Sequence, residues 1–516
     1  MLLYLLTYGS IVMKQLKCAT LEGIDALPVT VESTLTRGLP SFTVVGLASS
    51  SISEARERVK SALLANDFTF PPKRITINLS PSDIEKHGSQ FDLAMALLIA
   101  LDNAEEDFSE WYAFGELGLD GSIKENAMLY PLILSLANRG VLQKAVVPLE
   151  ALDKLSNIPG ITFIGAATLR EAIAFFKAEP GAEVHPAEPK AIPFPAQTLG
   201  GVRYYYRKHY PDDFREIRGQ EVAKRAALIS ACGMHNLLLE GSPGSGKSMI
   251  AKRLRHVLPP LTDSELLDIA KLDVLEGREP HFTPLRPFRS PHHSGTSASI
   301  FGGGSHRAQI GEVGLAHNGI LFFDELPHFS KQVLEALREP LEDKRIRISR
   351  VHSKVEYPTD FLFISAMNPC PCGNLLNDAL ECRCTDLEIR RYRSRLSDPF
   401  LDRIDLYVLM QPVRAEDKPS LTSEAMHETV LRVHTLQRAR GQEVLNGRLD
   451  DAHIDLYCRL DNEGQALLTQ AVQRFALSFR AIKKLQKVAR TIADIDGSAA
   501  ITSAHLLEAL SYRRRT

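Results

Sequence analysis

The run Gly241-Ser242-Pro243-Gly244-Ser245-Gly246-Lys247-Ser248 lies between a strand-like segment, 236–240, and a helix-like one, 249–257, opened by Met249. The glycines let successive backbone N–H groups close on phosphate oxygens, and the helix N-terminus behind them adds partial positive charge. Strand, loop and helix in this order begin a parallel α/β sheet built to bind a nucleotide. Lys247 is then the residue that reaches the β and γ phosphates, and the Ser248 hydroxyl is a ligand for Mg²⁺.

Downstream, Ile320-Leu-Phe-Phe-Asp324-Glu325 ends an apolar strand in two carboxylates. Asp324 is expected to hold Mg²⁺ through water and Glu325 to polarise the attacking water, which separates a hydrolase from a mere binder. Together the two motifs imply ATP hydrolysis. Asn368 ends a further apolar run, 361–367, where a polar side chain can orient the lytic water.

A chain of 516 residues has room for about three domains. Residues 14–177 alternate strand-like runs (42–45, 75–79, 145–147) with helical ones, and 91–100 is apolar nearly all round, as a buried helix would be. Prolines 180, 186, 189, 193 and 195 then interrupt all periodicity, so 178–210 reads as a linker. An α/β nucleotide core is expected over 211–412 and a helical domain over 413–516. In the latter, Ile482, Leu485, Val488, Ala489 and Ile492 keep helical spacing, Gly497 reads as a stop and Thr502 as the cap of a last helix.

Residues 1–13 are apolar but lack a positive start and a cleavage signal, and are too short to span a bilayer. They read as a dispensable extension or as the product of an upstream start. No other stretch reaches about 18 uninterrupted apolar residues, so no membrane partner is expected. The balance of 61 Lys and Arg against 63 Asp and Glu excludes a polybasic coat, though not a local basic patch. Seven cysteines are too few for a disulfide scaffold of this size and point to a reducing, cytoplasmic setting.

Four of them cluster as Cys370-Pro-Cys372 and Cys382-Arg-Cys384, enough thiolates for a closed tetrahedral Zn²⁺ site. The steps are tighter than the usual CxxC. Reduced thiols without metal, or a disulfide, remain open from the residues alone. A metal here would be structural and would pin the loop after Asn368. Between Asp324 and Asn368, residues 344–357 alternate apolar Ile346, Ile348 and Val355 with basic Arg345, Arg347, Arg350 and Lys354. The pattern reads as a β-hairpin, either a solvated edge ribbon or a surface for phosphate.

The order of nucleotide motifs resembles the AAA+ ATPases, in which an Asn such as Asn368 is sensor 1. Gly38-Leu-Pro-Ser-Phe, Val45-Gly-Leu, Glu54-Ala-Arg-Glu-Arg-Val, Phe91-Asp-Leu, Gly115-Glu-Leu, Ile217-Arg-Gly-Gln, Phe288-Arg-Ser-Pro-His-His-Ser, Leu315-Ala-His-Asn-Gly and Leu401-Asp-Arg-Ile-Asp occur in order from about residue 14 onward. They resemble the magnesium chelatase-like ComM/YifB family. The resemblance implies an α/β multidomain chain with an N-terminal ribosomal S5 domain 2-like (Lon protease-like) α+β domain, an AAA+ core and a helical lid.

It further implies that Ile217, Gly219 and Gln220 join the nucleotide site, that Arg403 is an arginine finger and that Arg480 is sensor 2. A finger acts on the neighbouring subunit's nucleotide, which implies a ring, a hexamer. The hairpin matches the pre-sensor 1 hairpin of replicative MCM-type ring helicases, so Arg347, Arg350 and Lys354 would meet DNA phosphates without reading bases. Residues 286–307, with Arg286, Arg289, His292, His293 and Arg307 around Gly302-Gly-Gly304, resemble the helix-2 insert and read as a mobile loop. In the Lon-like domain Ser89 sits one place early and the catalytic lysine position falls on Tyr130, so proteolysis is not expected. The activity implied is an ATP-driven hexameric helicase promoting branch migration of transforming DNA. A chelatase-partner remodelling ATPase and an ATP-gated regulator are the alternatives.

Overall fold

The computed structural model describes residues 14–22, 25–47, 49–179, 183, 185–188, 190–303, 309–349, 354–376, 380–412, 414 and 416–514. The stretch 1–13 and residues Gly304, Arg307 and Arg350 lie outside the described residues. Two compact units form. One runs to Pro193 and takes in Ala270–Phe282; the other holds Phe194–Ile269 and everything from Thr283.

The first unit is built on an eight-stranded mixed sheet in the order His185–Pro186, Thr162–Ala166, Lys144–Pro148, Trp111–Ala113, Lys14–Glu22, Asp25–Thr36, Arg74–Ser80, Ser41–Val45. Lys14–Glu22 and Asp25–Thr36 pair antiparallel from Lys14↔Ser33 to Glu22↔Asp25, and alternate inward and outward side chains over most of their length. Helix Asp92–Ala100 buries Leu93 through Ile99, so its apolar circumference is fully used. Its first residue, Asp92, is buried too, and Arg58 Nε donates to its Oδ2 at 2.7 Å.

In the second unit five parallel strands lie in the order Phe288–Arg289, Ile320–Phe323, Leu362–Met367, Leu237–Glu240, Leu406–Leu409. The three inner strands are covered on both faces, which is why they read as continuous apolar runs. Register aligns their carboxyl ends: Glu240 lies opposite Met367 and Leu409, and Phe323 opposite Ser365. The loops after Glu240, Phe323 and Met367 therefore leave the sheet at one edge.

The chain beyond 420 is helical, with helices Ser423–Ala439, Asp451–Tyr457, Asn462–Phe475, Phe479–Ile495 and Ser503–Ser511. Thr422, Asp450, Asp461 and Ser478 each accept a backbone N–H as N-caps, worth about 1 kcal/mol apiece. Thr502 caps the last helix in a box with His505, and Gly497 takes φ +73° just after Phe479–Ile495 ends. Leu485, Val488, Ala489 and Ile492 share one continuous core with helix Glu221–Gly233 and the sheet, so the helical part belongs to the same unit.

Part of the stretch read as linker is ordered: Ala196–Leu199 and Val202–Tyr205 pair as a hairpin, and the second strand also pairs with Leu261–Thr262. Gly200 and Gly201, at φ +57° and +81°, form the left-handed pair a two-residue hairpin turn requires.

Candidate nucleotide site

At the aligned strand ends, Lys247 is nearly buried and its Nζ donates to Gly241 O at 2.6 Å, Ser242 O at 2.9 Å and Asn368 Oδ1 at 3.2 Å. Burial lowers its pKa, with Asp324 and Glu240 opposing the shift. Ser248 Oγ donates to Asp324 Oδ2 at 2.8 Å, and Asp324 Oδ1 accepts the Glu325 N–H at 2.9 Å. The two loop motifs and Asn368 thus meet through direct hydrogen bonds, although they come from three separate strands.

The loop has the features a phosphate cradle needs. Gly244 and Gly246 hold φ +77° and +94°, and an added Cβ at Gly244 would meet nothing, so the backbone there is open to close approach. Gly241 is required by packing instead: its Cβ would lie 2.8 Å from that of Met410. Ser242 Oγ and Ser245 Oγ are buried without a hydrogen-bond partner, an expensive arrangement that phosphate oxygens would relieve. Polar donors, open glycine backbone and the Ser248–Asp324 oxygen pair fit a nucleoside triphosphate with Mg²⁺.

Ile217 is buried, and Gly219 and Gln220 take left-handed backbone conformations. Gln220 Nε2 donates to Gln411 O at 2.5 Å, next to Met410, whose N–H donates to Glu240 O at 2.7 Å. Gln220 is thereby tied to the end of the strand beside the loop, while Ile217 N–H bonds Phe214 O; no direct hydrogen bond to the loop joins the three among the described residues.

Glu325 itself sits at φ +52°, a strained conformation for a glutamate, and its Oε2 lies 3.5 Å from His293 Nδ1. His293 in turn packs tilted against His292, ring centroids 4.2 Å apart, and lies 5.7 Å from His328. Sequence reasoning grouped His293 with a basic loop and missed this contact, which spans two strands and leaves no local pattern. Arg286 and Arg289 of the same segment are committed internally. Arg286 is buried and donates to the Pro259, Pro260 and Asn318 carbonyls, and Arg289 pairs with Glu312 at 2.6 Å.

Arg403 and Arg480 are not in this group. Both ion-pair with Glu342, in helix Arg338–Asp343, and both line a 560 Å³ cleft with Lys344, Lys484 and Lys487. The hairpin pairs antiparallel, Arg345–Ser349 against Lys354–Pro358, with Arg347 opposite Glu356 and Ser349 opposite Lys354. Arg347 Nε lies 2.6 Å from Glu356 Oε2, so its charge is already shared.

Three family models match: "Magnesium chelatase, subunit ChlI" over 213–418, "Subunit ChlI of Mg-chelatase" over 31–151 and "Magnesium chelatase, subunit ChlI C-terminal" over 420–513. The chain is 39% identical over 503 residues to the uncharacterised protein YifB of Escherichia coli K12, covering 95% of each chain. It is 37% identical over 501 residues to the competence protein ComM of Haemophilus influenzae, again covering 95% of each. The chain belongs to the magnesium chelatase-like ComM/YifB family.

For a member of this family, mixed α/β architecture around a parallel-sheet core is the expected frame, and the second unit has it. The four clustered cysteines are free thiols whose Sγ atoms all lie within 4.8 Å of one another, so they could hold a metal ion. In the first unit Ser89 Oγ donates to the Glu116 carboxylate and accepts from Asn126 Nδ2 at 3.1 Å, while Tyr130 OH donates to Glu125 at 2.9 Å. Among the described residues no lysine bonds to Ser89; Lys86, three residues away, is buried on the Pro81 carbonyl. No helix among the described residues is long and apolar enough to cross a membrane.

Proposed function

We propose that this protein is an ATP-driven, ring-forming DNA motor that hydrolyses ATP at the 241–248 loop and couples it to movement along single-stranded or branched DNA. The observation that carries the reading is the convergence of Lys247, Ser248, Asp324 and Asn368 at one sheet edge. Mg²⁺ and ATP, when bound, supply the metal charge and the phosphoanhydride bond. Lys247 then exchanges loop carbonyls for phosphate oxygens, and Ser248 with Asp324 supplies oxygen ligands. Glu325 accepts the proton of the attacking water, which Asn368 orients.

Arg403 and Arg480 lie together on Glu342, away from this chain's own Lys247 group, which supports a role toward a neighbouring subunit and hence a closed ring, a hexamer by analogy with the family. Kinship with a competence protein supports extending the reading to helicase action that promotes branch migration of transforming DNA. The first unit is read as a Lon-like, S5 domain 2-type module without protease activity, since among the described residues Ser89 bonds to Glu116 and Asn126 and to no amine that could activate it.

The test is steady-state ATP hydrolysis at fixed salt with no DNA and with single-stranded, duplex or branched DNA, using Glu325→Gln as the inactive control. Stimulation of several-fold by branched or single-stranded DNA, lost in Arg350→Ala/Lys354→Ala, is expected. A rate indifferent to every DNA sinks the motor. The second reading, an ATPase remodelling a metal-chelatase-type partner, draws on the three chelatase-subunit matches and would then lead.

A further inference from the structure

Three thiols of the cysteine cluster stand at the spacing of an occupied metal site, and the fourth, Cys384, lies within 4.8 Å of them. Cys370 Sγ is 3.4 Å from Cys372 Sγ and 3.7 Å from Cys382 Sγ, and Cys372 and Cys382 are 3.7 Å apart. A tetrahedron with Zn–S bonds of about 2.3 Å has edges of about 3.8 Å. Backbone N–H groups add to the match: those of Asn374 and Arg383 bond to Cys372, that of Cys384 to Cys382, and that of Cys372 to Cys384. Four sulfur atoms and converging backbone donors around one point are the arrangement a bound cation uses.

Both arms leaving the cluster touch the nucleotide site. On the first, Gly373 lies so close to the loop that an added Cβ would be 2.6 Å from Pro243 Cδ. The second begins at Cys384 with a helix, Asp386–Arg393, started by a capping box in which Thr385 and Glu388 bond reciprocally. At its end Tyr392 is buried and hydrogen-bonds the backbone of Asn368, Arg393 Nη2 donates to Glu240 Oε1 at 3.1 Å, and Arg395 Nη1 donates to Pro327 O at 3.0 Å. Glu240 precedes the phosphate loop and Pro327 follows Glu325. The segments 370–373 and 382–395 therefore brace the phosphate loop, Asn368 and the acidic turn from one anchor.

We propose that Cys370, Cys372, Cys382 and Cys384 bind one zinc-class divalent ion, and that this ion holds the brace against the phosphate loop so that nucleotide affinity depends on its presence. The coupling, though not the metal site, rests on reading 241–248 as the nucleotide loop.

The full-length protein, dialysed against metal-free buffer, should retain one zinc per chain by elemental analysis, release it on mercurial treatment, and accept Co²⁺ with thiolate charge-transfer and tetrahedral ligand-field bands. Cys372→Ser/Cys382→Ser should retain none. Binding of a fluorescent ATP analogue should weaken at least about fivefold on zinc removal, the lower end of coupling between sites, and recover on adding zinc back, which separates coupling from unfolding. Gly373→Ala, with all four thiols intact, should keep its zinc yet bind the analogue more weakly. A wild-type chain without zinc and without cobalt bands overturns the site. Bound zinc with affinity unchanged by its removal overturns the coupling alone. Zinc-loaded wild type that binds no analogue overturns the nucleotide reading, and the coupling with it, while the metal count stands.

Discussion

Arg403 and Arg480 close on the same carboxylate: one guanidinium takes Glu342 Oε2 and the other Oε1. Arg403 is mostly covered and Arg480 half exposed, and both guanidinium groups line the 560 Å³ cleft. Shared anchoring makes both arginines address one anion. If that anion is the neighbouring subunit's nucleotide, Arg403→Ala and Arg480→Ala should each lower kcat, the finger by about 10³-fold or more, with analogue affinity of the isolated chain unchanged. Mixing Arg480→Ala with Lys247→Ala should restore hydrolysis above either alone, because mixed rings contain intact composite sites. Mixtures no more active than their components would put Arg480 on its own chain's nucleotide.

His293 holds the carboxylate that is meant to activate water. With Glu325 Oε2 3.5 Å from His293 Nδ1, the carboxylate is held toward a ring that is itself packed by His292 and must leave it to face a water on the phosphate. His293→Ala should raise hydrolysis in the absence of DNA by up to about tenfold, equivalent to about 1.4 kcal/mol of barrier, and shrink the stimulation by DNA. The comparison is of kcat with and without DNA; a fall in the DNA-free rate would make His293 a helper of the reaction and not a restraint.

Acid should act on the two units with opposite sign. In the second, burial pushes His235 and His427 down to about 4 and His434 to about 3, from an ordinary 6.5. Unfolding lets them protonate, so their contribution is whole above pH 6.5 and is lost as pH falls toward 4, by about 1.4 kcal/mol per pH unit for each histidine. In the first unit burial raises Asp92 to about 6 against the pull of Arg58. The folded unit then binds the extra proton, and stability rises as pH drops from 6 to about 4. Calorimetry from pH 7.5 to 4.5 should show the second unit's transition moving down while the first moves up, and Asp92→Asn should flatten the latter.

Much of the second unit was legible because buried parallel strands leave uninterrupted apolar runs, as at Ile320–Phe323 and Leu362–Met367, and because a glycine loop between strand and helix has few other uses. The helical end was legible through the spacing of Leu485, Val488 and Ile492. Contacts between distant segments were not. Nothing local marks Glu342 as the meeting point of two arginines, Pro243 as the neighbour of Gly373, or Arg286 as a buried tie to three carbonyls. The hairpin at 196–205 did carry a signal, the Gly200-Gly201 turn, which the surrounding prolines obscured.

The 345–358 hairpin offers a measurable test of the proposed grip on DNA. Arg347 opposes Glu356 across the ribbon and the two form an exposed ion pair, with Arg345 also 3.4 Å from the same carboxylate. An exposed pair of this kind is weak and yields readily to a phosphate. Glu356→Gln should therefore free Arg347 and tighten DNA binding at every sequence alike. Arg347→Ala should weaken it and reduce the slope of log K against log salt by about 0.7 to 0.9, the change expected for one lost phosphate contact. Both are read by fluorescence anisotropy of labelled single strands across a salt series. An unchanged slope in Arg347→Ala would leave this residue as a strand-stabilising partner of Glu356 and move the proposed phosphate contacts elsewhere on the protein.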